Sequence, residues 1–351
     1  MTIVVNVGIV GLSASGGWAA RAHVPALAAV EGLELRGLTA SSAASARAAS
    51  DAFGVPAYQS VSELAQAVDL VLVAVKVPRH RELILPALEL GVPVLSEWPL
   101  GLDLREAEEL ERAARGTRTF VGLQGRSSPT FRWLADLVAD GSIGEVLSAT
   151  VAASTEGWGP PVSERMRYTL DRRNGATLLT IVFGHAIDAV TKVVGEFEEL
   201  VATTATRRPQ VALADSPGTA TMTAEDQIAV SGTVRGGAVL SAHLRGGVRS
   251  GFSLTIDGTE GTLEATAASH PHLAPVTVRA DGAELTRPDG YDAFPHLAGT
   301  PAHSIAHAYA AIRDDLSQGT TSAPDFAHAV QRHRLLDAIQ RSAATGQRVR
   351  P

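Results

Sequence analysis

Residues 5–18 read VNVGIVGLSASGGW, a continuous apolar run that ends in a glycine-rich loop. A strand exposed on one face alternates apolar and polar residues, whereas a strand covered on both faces reads as a nearly unbroken apolar run. The opening stretch is of the second kind. Working outward, LELRGLTA, DLVLVAV, VPVLSE and TFVGLQ repeat the pattern, alternating with Ala-, Leu- and Glu-rich segments of helical length from Ile3 to about Gly125. Buried strands separated by helices predict a parallel sheet wrapped on both faces, a doubly wound α/β domain over residues 1–125.

After Gly144 the rhythm changes. EVLSATVAAS, EELVATTAT, DQIAVSGTV, AVLSAHLR and FSLTIDG alternate in the manner of strands with one face in water, with turns expected at Arg235-Gly236-Gly237 and Asp257-Gly258. This predicts an α+β domain over 126–351, an open, mainly antiparallel sheet with helices on one face. HSIAHAYAAIRDDL and DFAHAVQRHRLLDAIQRSA read as two closing helices near 302–342, separated by a turn from Gly319 to Pro324. The sequence leaves open whether they pack back on the first domain.

Composition limits the chemistry. The 351 residues are 45% hydrophobic and 19% charged, enough for two cored domains. A net charge of -7 argues against a direct nucleic-acid partner. The absence of cysteine removes thiolate nucleophiles and Cys-ligated metals. His270, His272, His296, His303 and His307 follow no ligand spacing backed by carboxylates, so no metal is expected. The N-terminus lacks a basic leader, and VDLVLVAV is too short to cross a bilayer, so no membrane association and a cytoplasmic location are expected.

The loop GLSASGGW carries the first site signal. A dinucleotide fingerprint needs a glycine for the tight turn, a small residue where backbone meets pyrophosphate, and a glycine where helix packs on strand. Gly11, Ser13 and Gly16 stand at these places, with Ala14 beside them. Ser13 departs from the glycine pattern but is small. An acid that would bind ribose hydroxyls at the end of the second strand is missing, and Ala40-Ser41-Ser42 stand there with Arg47 one turn on. Hydroxyls and a guanidinium suit a 2'-phosphate better than a carboxylate does, so NADP is preferred over NAD. The alternative is that Ser41 and Ser42 simply cap a helix.

With VKVPRHRELILPALELGVPVLSEWPLG added, the order of elements resembles the glucose-fructose oxidoreductase, inositol dehydrogenase and MocA family over nearly the whole chain. The resemblance runs through Pro78 and His80, the Glu-Lys-Pro position at Glu97-Trp98-Pro99, Arg126, and Ile143-Gly144-Glu145-Val146 to PDFAHAVQRHRLLDAI. It implies a Rossmann domain followed by an open-sheet domain that commonly mediates oligomerisation, here a homodimer or tetramer. By the same resemblance Val75, Lys76, Pro78, His80, Glu97, Trp98 and Arg126 join the cofactor-binding residues.

Two departures stand out. Catalytic members carry a lysine where this chain has Trp98, and an Asp four residues before a His where this chain has Ile181 before His185. A cation there polarises the substrate hydroxyl, which an indole cannot do. Glu-Trp together with NGATLLTIVFGHAID, YTLDRRNGATLL and LRGG resembles one branch, typified by the fungal galactose-regulon repressor and known for regulators rather than dehydrogenases.

His185 and Lys76 are therefore the candidate catalytic groups, one on a helix and one at a strand end. Each has a bland reading as well, a buried structural histidine and a snorkelling lysine. Asp188 either orients His185 or only stabilises its helix. Asp171, Arg172, Arg173 and Asn174 form a polar run suited to sugar hydroxyls or a carboxylate, and equally to a solvated loop. Trp98 would stack on nicotinamide or sugar, or fill a core. The expected function is an NAD(P)-dependent oxidoreductase on a sugar, polyol or related hydroxy or keto compound, with Trp98, Asp171, Arg172, Asn174 and His185 as substrate-binding residues. The competing expectation is a non-catalytic, cofactor-dependent sensor with a protein partner.

Overall fold

The computed structural model describes residues 4–351. Its chain divides into two compact units, residues 1–124 with 294–331, and residues 125–293 with 332–351. The division is thus not a single cut.

In the first unit the unbroken apolar runs become β1 (Val5–Val10), β2 (Leu33–Thr39), β3 (Leu70–Val73), β4 (Val94–Glu97) and β5 (Thr119–Gly122). They form one parallel sheet in the order β2-β1-β3-β4-β5. A parallel bridge from Leu38 to Ala57 extends the edge beyond β2. With that short piece the order is the one of dinucleotide-binding sheets, whose strand order reverses beside the first strand. The crossovers are α1 (Val24–Ala29), α2 (Ala43–Phe53), α3 (Val61–Ala65), α4 (His80–Glu89) and α5 (Leu104–Ala113).

Local chemistry sets the helix ends. Ser42 accepts a hydrogen bond from the Ser45 amide at the start of α2, and Gly54 closes it with φ 67°. Asp103 caps α5 through the Glu106 amide. Val7, Ile9, Leu38, Leu70 and Leu72 are fully buried and share a core with Ile305, Tyr309 and Ile312 of a helix near the end of the chain.

The second unit contains α6 (Pro129–Ala139), β6 (Val146–Ser154), α7 (Gly184–Val194), β7 (Phe197–Ala205), β8 (Gln210–Ala212), β9 (Thr219–Thr221), β10 (Gln227–Val234), β11 (Val239–Arg245), β12 (Gly251–Gly258), β13 (Thr262–Ala267), β14 (Thr277–Ala280) and β15 (Ala283–Leu285). Eight of these strands form a sheet ordered β15-β14-β13-β12-β6-β11-β10-β7, antiparallel except for β11 beside β6. On the covered face Phe131 of α6 meets Phe252 of β12 edge to face at 6.1 Å. On the other face Val201 and Val239 stand exposed. Two helices follow, α8 (Ala302–Gln318), which belongs to the first unit, and α9 (Phe326–Thr345), along which the chain passes to the second.

One turn falls elsewhere than expected. Asp257 and Gly258 end β12, and the reversal follows at Thr259-Glu260. Gly258 serves a register shift opposite Val146, where a Cβ would lie 2.1 Å from the Ile143 carbonyl oxygen. The glycine is required by close backbone approach, not by the turn.

Candidate functional site

In the first unit the carboxyl ends of the parallel strands carry most of the predicted cofactor residues. Gly11 leaves β1 with φ 95°, and a Cβ on it would lie 2.8 Å from Ala74 O and 2.6 Å from Val75 Cγ1. The loops after β1 and β3 therefore touch backbone to backbone at the point where strand order reverses, which only glycine permits. Ala74 N donates to Val10 O and Gly11 N to Thr39 O, fixing both loops to the sheet. Ser13 accepts from the Ser15 amide through its hydroxyl and from the Gly16 amide through its carbonyl. Ala14 is exposed and Gly16 has φ 94°. The chain then enters a π-helical turn, Ala19–His23, before α1. A glycine-lined cradle ahead of a helix N-terminus fits a diphosphate, so these residues suit the nicotinamide dinucleotide that the fold implies.

At the end of β2, Ser41 and Arg47 are exposed, while the Ser42 hydroxyl is used as the α2 cap. After β3, Lys76 and Pro78 are exposed and Val75 is half-buried. His80 is buried, with Nε2 3.1 Å from Val75 O and Nδ1 3.5 Å from Ser96 Oγ. It braces the loop from within, and burial lowers its pKa.

Glu97 ends β4 as a buried carboxylate. Its Oε1 accepts from Gln124 Nε2 at 2.9 Å and lies 3.1 Å from His23 Nε2, while His23 Nδ1 lies 2.8 Å from the Tyr309 hydroxyl. Burial, then the Glu97 charge, pushes the Tyr309 hydroxyl well above its ordinary range. The sequence reading named Glu97 but missed His23, Gln124 and Tyr309, whose partners lie far away along the chain. Trp98, 4% exposed, sits within the packed interior.

In the second unit α7 follows a π-helical run, Leu178–Phe183, that contains half-buried Ile181. His185 is buried and its Nδ1 meets no hydrogen-bond partner among the described residues. Burial first, then His270, lowers its pKa to about 3, against an opposing pull from Asp188. Asp188 does not orient that nitrogen. Its Oδ1 lies 3.0 Å from Arg126 Nη1 and 3.3 Å from Arg332 Nε, and Arg332 also makes a two-pronged pair with Glu196. Arg126, predicted to meet the cofactor, is thus engaged by Asp188 in the second unit. Arg332 was missed.

The polar run ahead of α7 is tied up locally. Asp171 pairs with Arg173 and Asn174 Nδ2 donates to Tyr168 O at 2.7 Å. The Arg173 hydrogen bond holds the Asp171 carboxyl below its usual range. Arg172 donates its amide to Thr223 Oγ1 and leaves its side chain exposed. Lys192 donates to Arg126 O at 3.0 Å, and burial with the Arg126 and Arg132 charges lowers its pKa to about 8.

Comparison with known proteins follows this division. Residues 5–124 match the Gfo/Idh/MocA oxidoreductase family, NAD-binding Rossmann fold, and residues 129–267 match the Gal80p C-terminal domain. The dehydrogenase aclE of Aspergillus oryzae is 34% identical over 225 residues, 61% of each chain. The galactose/lactose metabolism regulatory protein GAL80 of Saccharomyces cerevisiae is 29% identical over 289 residues, 74% of this chain and 66% of the relative. The chain thus aligns with less than two thirds of either relative's length. A solved super-repressor mutant of the latter superposes with TM-score 0.86 at 24% identity, over 99% of this chain and 98% of that one. Levoglucosan dehydrogenase in complex with NADH and levoglucosan superposes with TM-score 0.83 at 21% identity, over 99% of both chains. Among the described residues no helix is long and apolar enough to cross a membrane. The first domain thus matches the NAD-binding Rossmann domain of the Gfo/Idh/MocA oxidoreductase family, and the second matches the Gal80p C-terminal domain.

Proposed function

We propose that this protein is an NAD(P)-dependent oxidoreductase acting on a sugar, polyol or related hydroxy or keto compound through a non-standard set of catalytic residues. The observation that carries the reading is the backbone contact of Gly11 with Ala74 and Val75, a cradle for a dinucleotide at the point where strand order reverses. The bound nicotinamide would supply hydride chemistry. Gly11, Ser13, Ala14 and Gly16 hold the diphosphate, and the free faces of Ser41 and Arg47 take a ribose 2'-phosphate, so NADP is preferred. His185, a neutral imidazole, takes or returns the hydroxyl proton in place of the pair lost at Trp98 and Ile181. Lys76 is the second candidate for that proton. The exposed sheet face with Val201 and Val239 joins protomers into a dimer or tetramer.

The second reading, a cofactor-dependent sensor without turnover, is favoured by the match of residues 129–267 to the Gal80p C-terminal domain. Purified protein incubated with NAD(P)H or NAD(P)+ and a panel of sugars, polyols and their keto forms separates the two. Turnover that falls at least tenfold in His185→Ala supports the oxidoreductase. Tight cofactor binding with no turnover on any compound supports the sensor.

A further inference from the structure

Two histidines that no role above uses stand against His185. They lie in the segment His270-Pro271-His272 after β13, inside the second unit. The His272 ring centre is 4.7 Å from that of His185 and 4.3 Å from that of His270, and His185 and His270 themselves meet edge to face at 6.2 Å, so the three rings form a triangle. Gly125 lies beside this cluster, where a Cβ would meet Ala189, the His185 carbonyl oxygen and His272 Cβ at ordinary contact distances.

His270 has a fixed chemistry. Its Nε2 lies 3.0 Å from the Val182 carbonyl oxygen, which can only accept, so Nε2 carries the proton. In a neutral ring the other nitrogen is then a bare acceptor. That atom, Nδ1, is buried in a residue 9% exposed and has no partner among the described residues. An acceptor so placed calls for an O–H or N–H donor. It repels a carboxylate or phosphate oxygen, which brings a lone pair and no proton. The ionised groups nearby, Asp188 and Glu196 against Arg126 and Arg332, are engaged with each other. Burial keeps all three imidazoles neutral, with His270 lowered to about 4.

We propose that His270 and His272 are specificity-determining residues which, with His185, hold an uncharged polyhydroxylated ligand, His270 Nδ1 accepting from a ligand hydroxyl, and which exclude the corresponding sugar acids. This rests on the oxidoreductase reading and deepens it. His272, packed against both of the other rings, holds them in place.

The test uses the full chain with saturating NADPH, histidine side chains labelled for NMR, and a panel of hexoses, pentoses and inositols with the uronate of each hexose. At least one neutral compound should shift the His185, His270 and His272 resonances saturably, and its uronate should bind at least tenfold more weakly. His270→Gln keeps a donor toward Val182 and loses the Nδ1 acceptor, whereas His270→Asn keeps an acceptor near Nδ1. The first should raise Kd at least tenfold and the second less, with NADPH affinity unchanged in both. A neutral compound that binds or turns over without moving these resonances overturns the proposal and leaves the oxidoreductase reading standing, as does a uronate that binds equally well. No binding and no turnover across the panel, with Nδ1 satisfied by water only, overturns both.

Discussion

Arg332 and Asp188 meet at 3.3 Å with 0% and 1% of their side chains exposed, a buried ion pair joining α9 to α7. Glu196 and Arg126 complete it, so two anions face two cations. Removing one member strands a desolvated charge, which costs about 3–5 kcal/mol. Arg332→Met should therefore lower the urea midpoint markedly, and Arg332→Lys should not restore it, because a lysine cannot make the two-pronged contact with Glu196. A midpoint unchanged in Arg332→Met would show that the pair carries no stability.

Gly122 is required by its neighbour. A Cβ there would lie 2.3 Å from Glu97 Oε1, the atom that accepts from Gln124 and faces His23. Gly122→Ala must displace the carboxylate, leaving buried polar groups unpaired at about 1–3 kcal/mol. Thermal unfolding should show the loss, and Glu97→Gln in the same background should not recover it.

These two networks mark the limit of what the sequence discloses. The five parallel strands were legible because burial on both faces leaves an unbroken apolar signature, and β6, β7, β10, β11 and β12 because one wet face leaves alternation. The short strands β8, β9, β14 and β15 carry too few residues for either period, and Asp257-Gly258 looked like a turn because its glycine was needed for a close approach. Within the candidate site, the place of Gly11 between strand and helix was legible from local spacing, whereas His185 was singled out by the family resemblance. Tyr309 with His23, and Arg332 with Asp188, were not legible, since no local pattern links residues so far apart.

The cradle makes its own prediction. Gly11→Ala places a methyl against Ala74 O and Val75 Cγ1 at a φ of 95° that alanine rarely adopts. Dinucleotide affinity measured by calorimetry should fall at least tenfold, about 1.4 kcal/mol. Retained affinity in a folded variant would move the diphosphate elsewhere.

Cofactor choice turns on Arg47. If its exposed guanidinium meets a 2'-phosphate, Arg47→Ala should weaken NADP and leave NAD within twofold. Equal loss for both cofactors, or a wild-type preference for NAD, would remove the guanidinium from that role.

Acid should unfold the protein through its buried histidines before the carboxylates titrate. The pKa of His270 is lowered to about 4 and that of His185 to about 3, and His272 also lies well below 6.5, burial being the largest cause in each. In the unfolded chain each would titrate near 6.5, so between pH 6.5 and about 4 the unfolded state binds protons that the folded state refuses. Stability is then complete above pH 6.5 and declines as pH falls through this window, by up to about 1.4 kcal/mol per pH unit for each independent histidine. The three rings interact, so their contributions will not simply add. Asp188 opposes the trend at His185 by favouring the imidazolium. The urea midpoint of the wild type should fall steeply from pH 6.5 to 4.5, and the slope should flatten in His270→Gln, which has no proton to gain in this range. An identical slope in both proteins would mean that His270 is already protonated in the folded state.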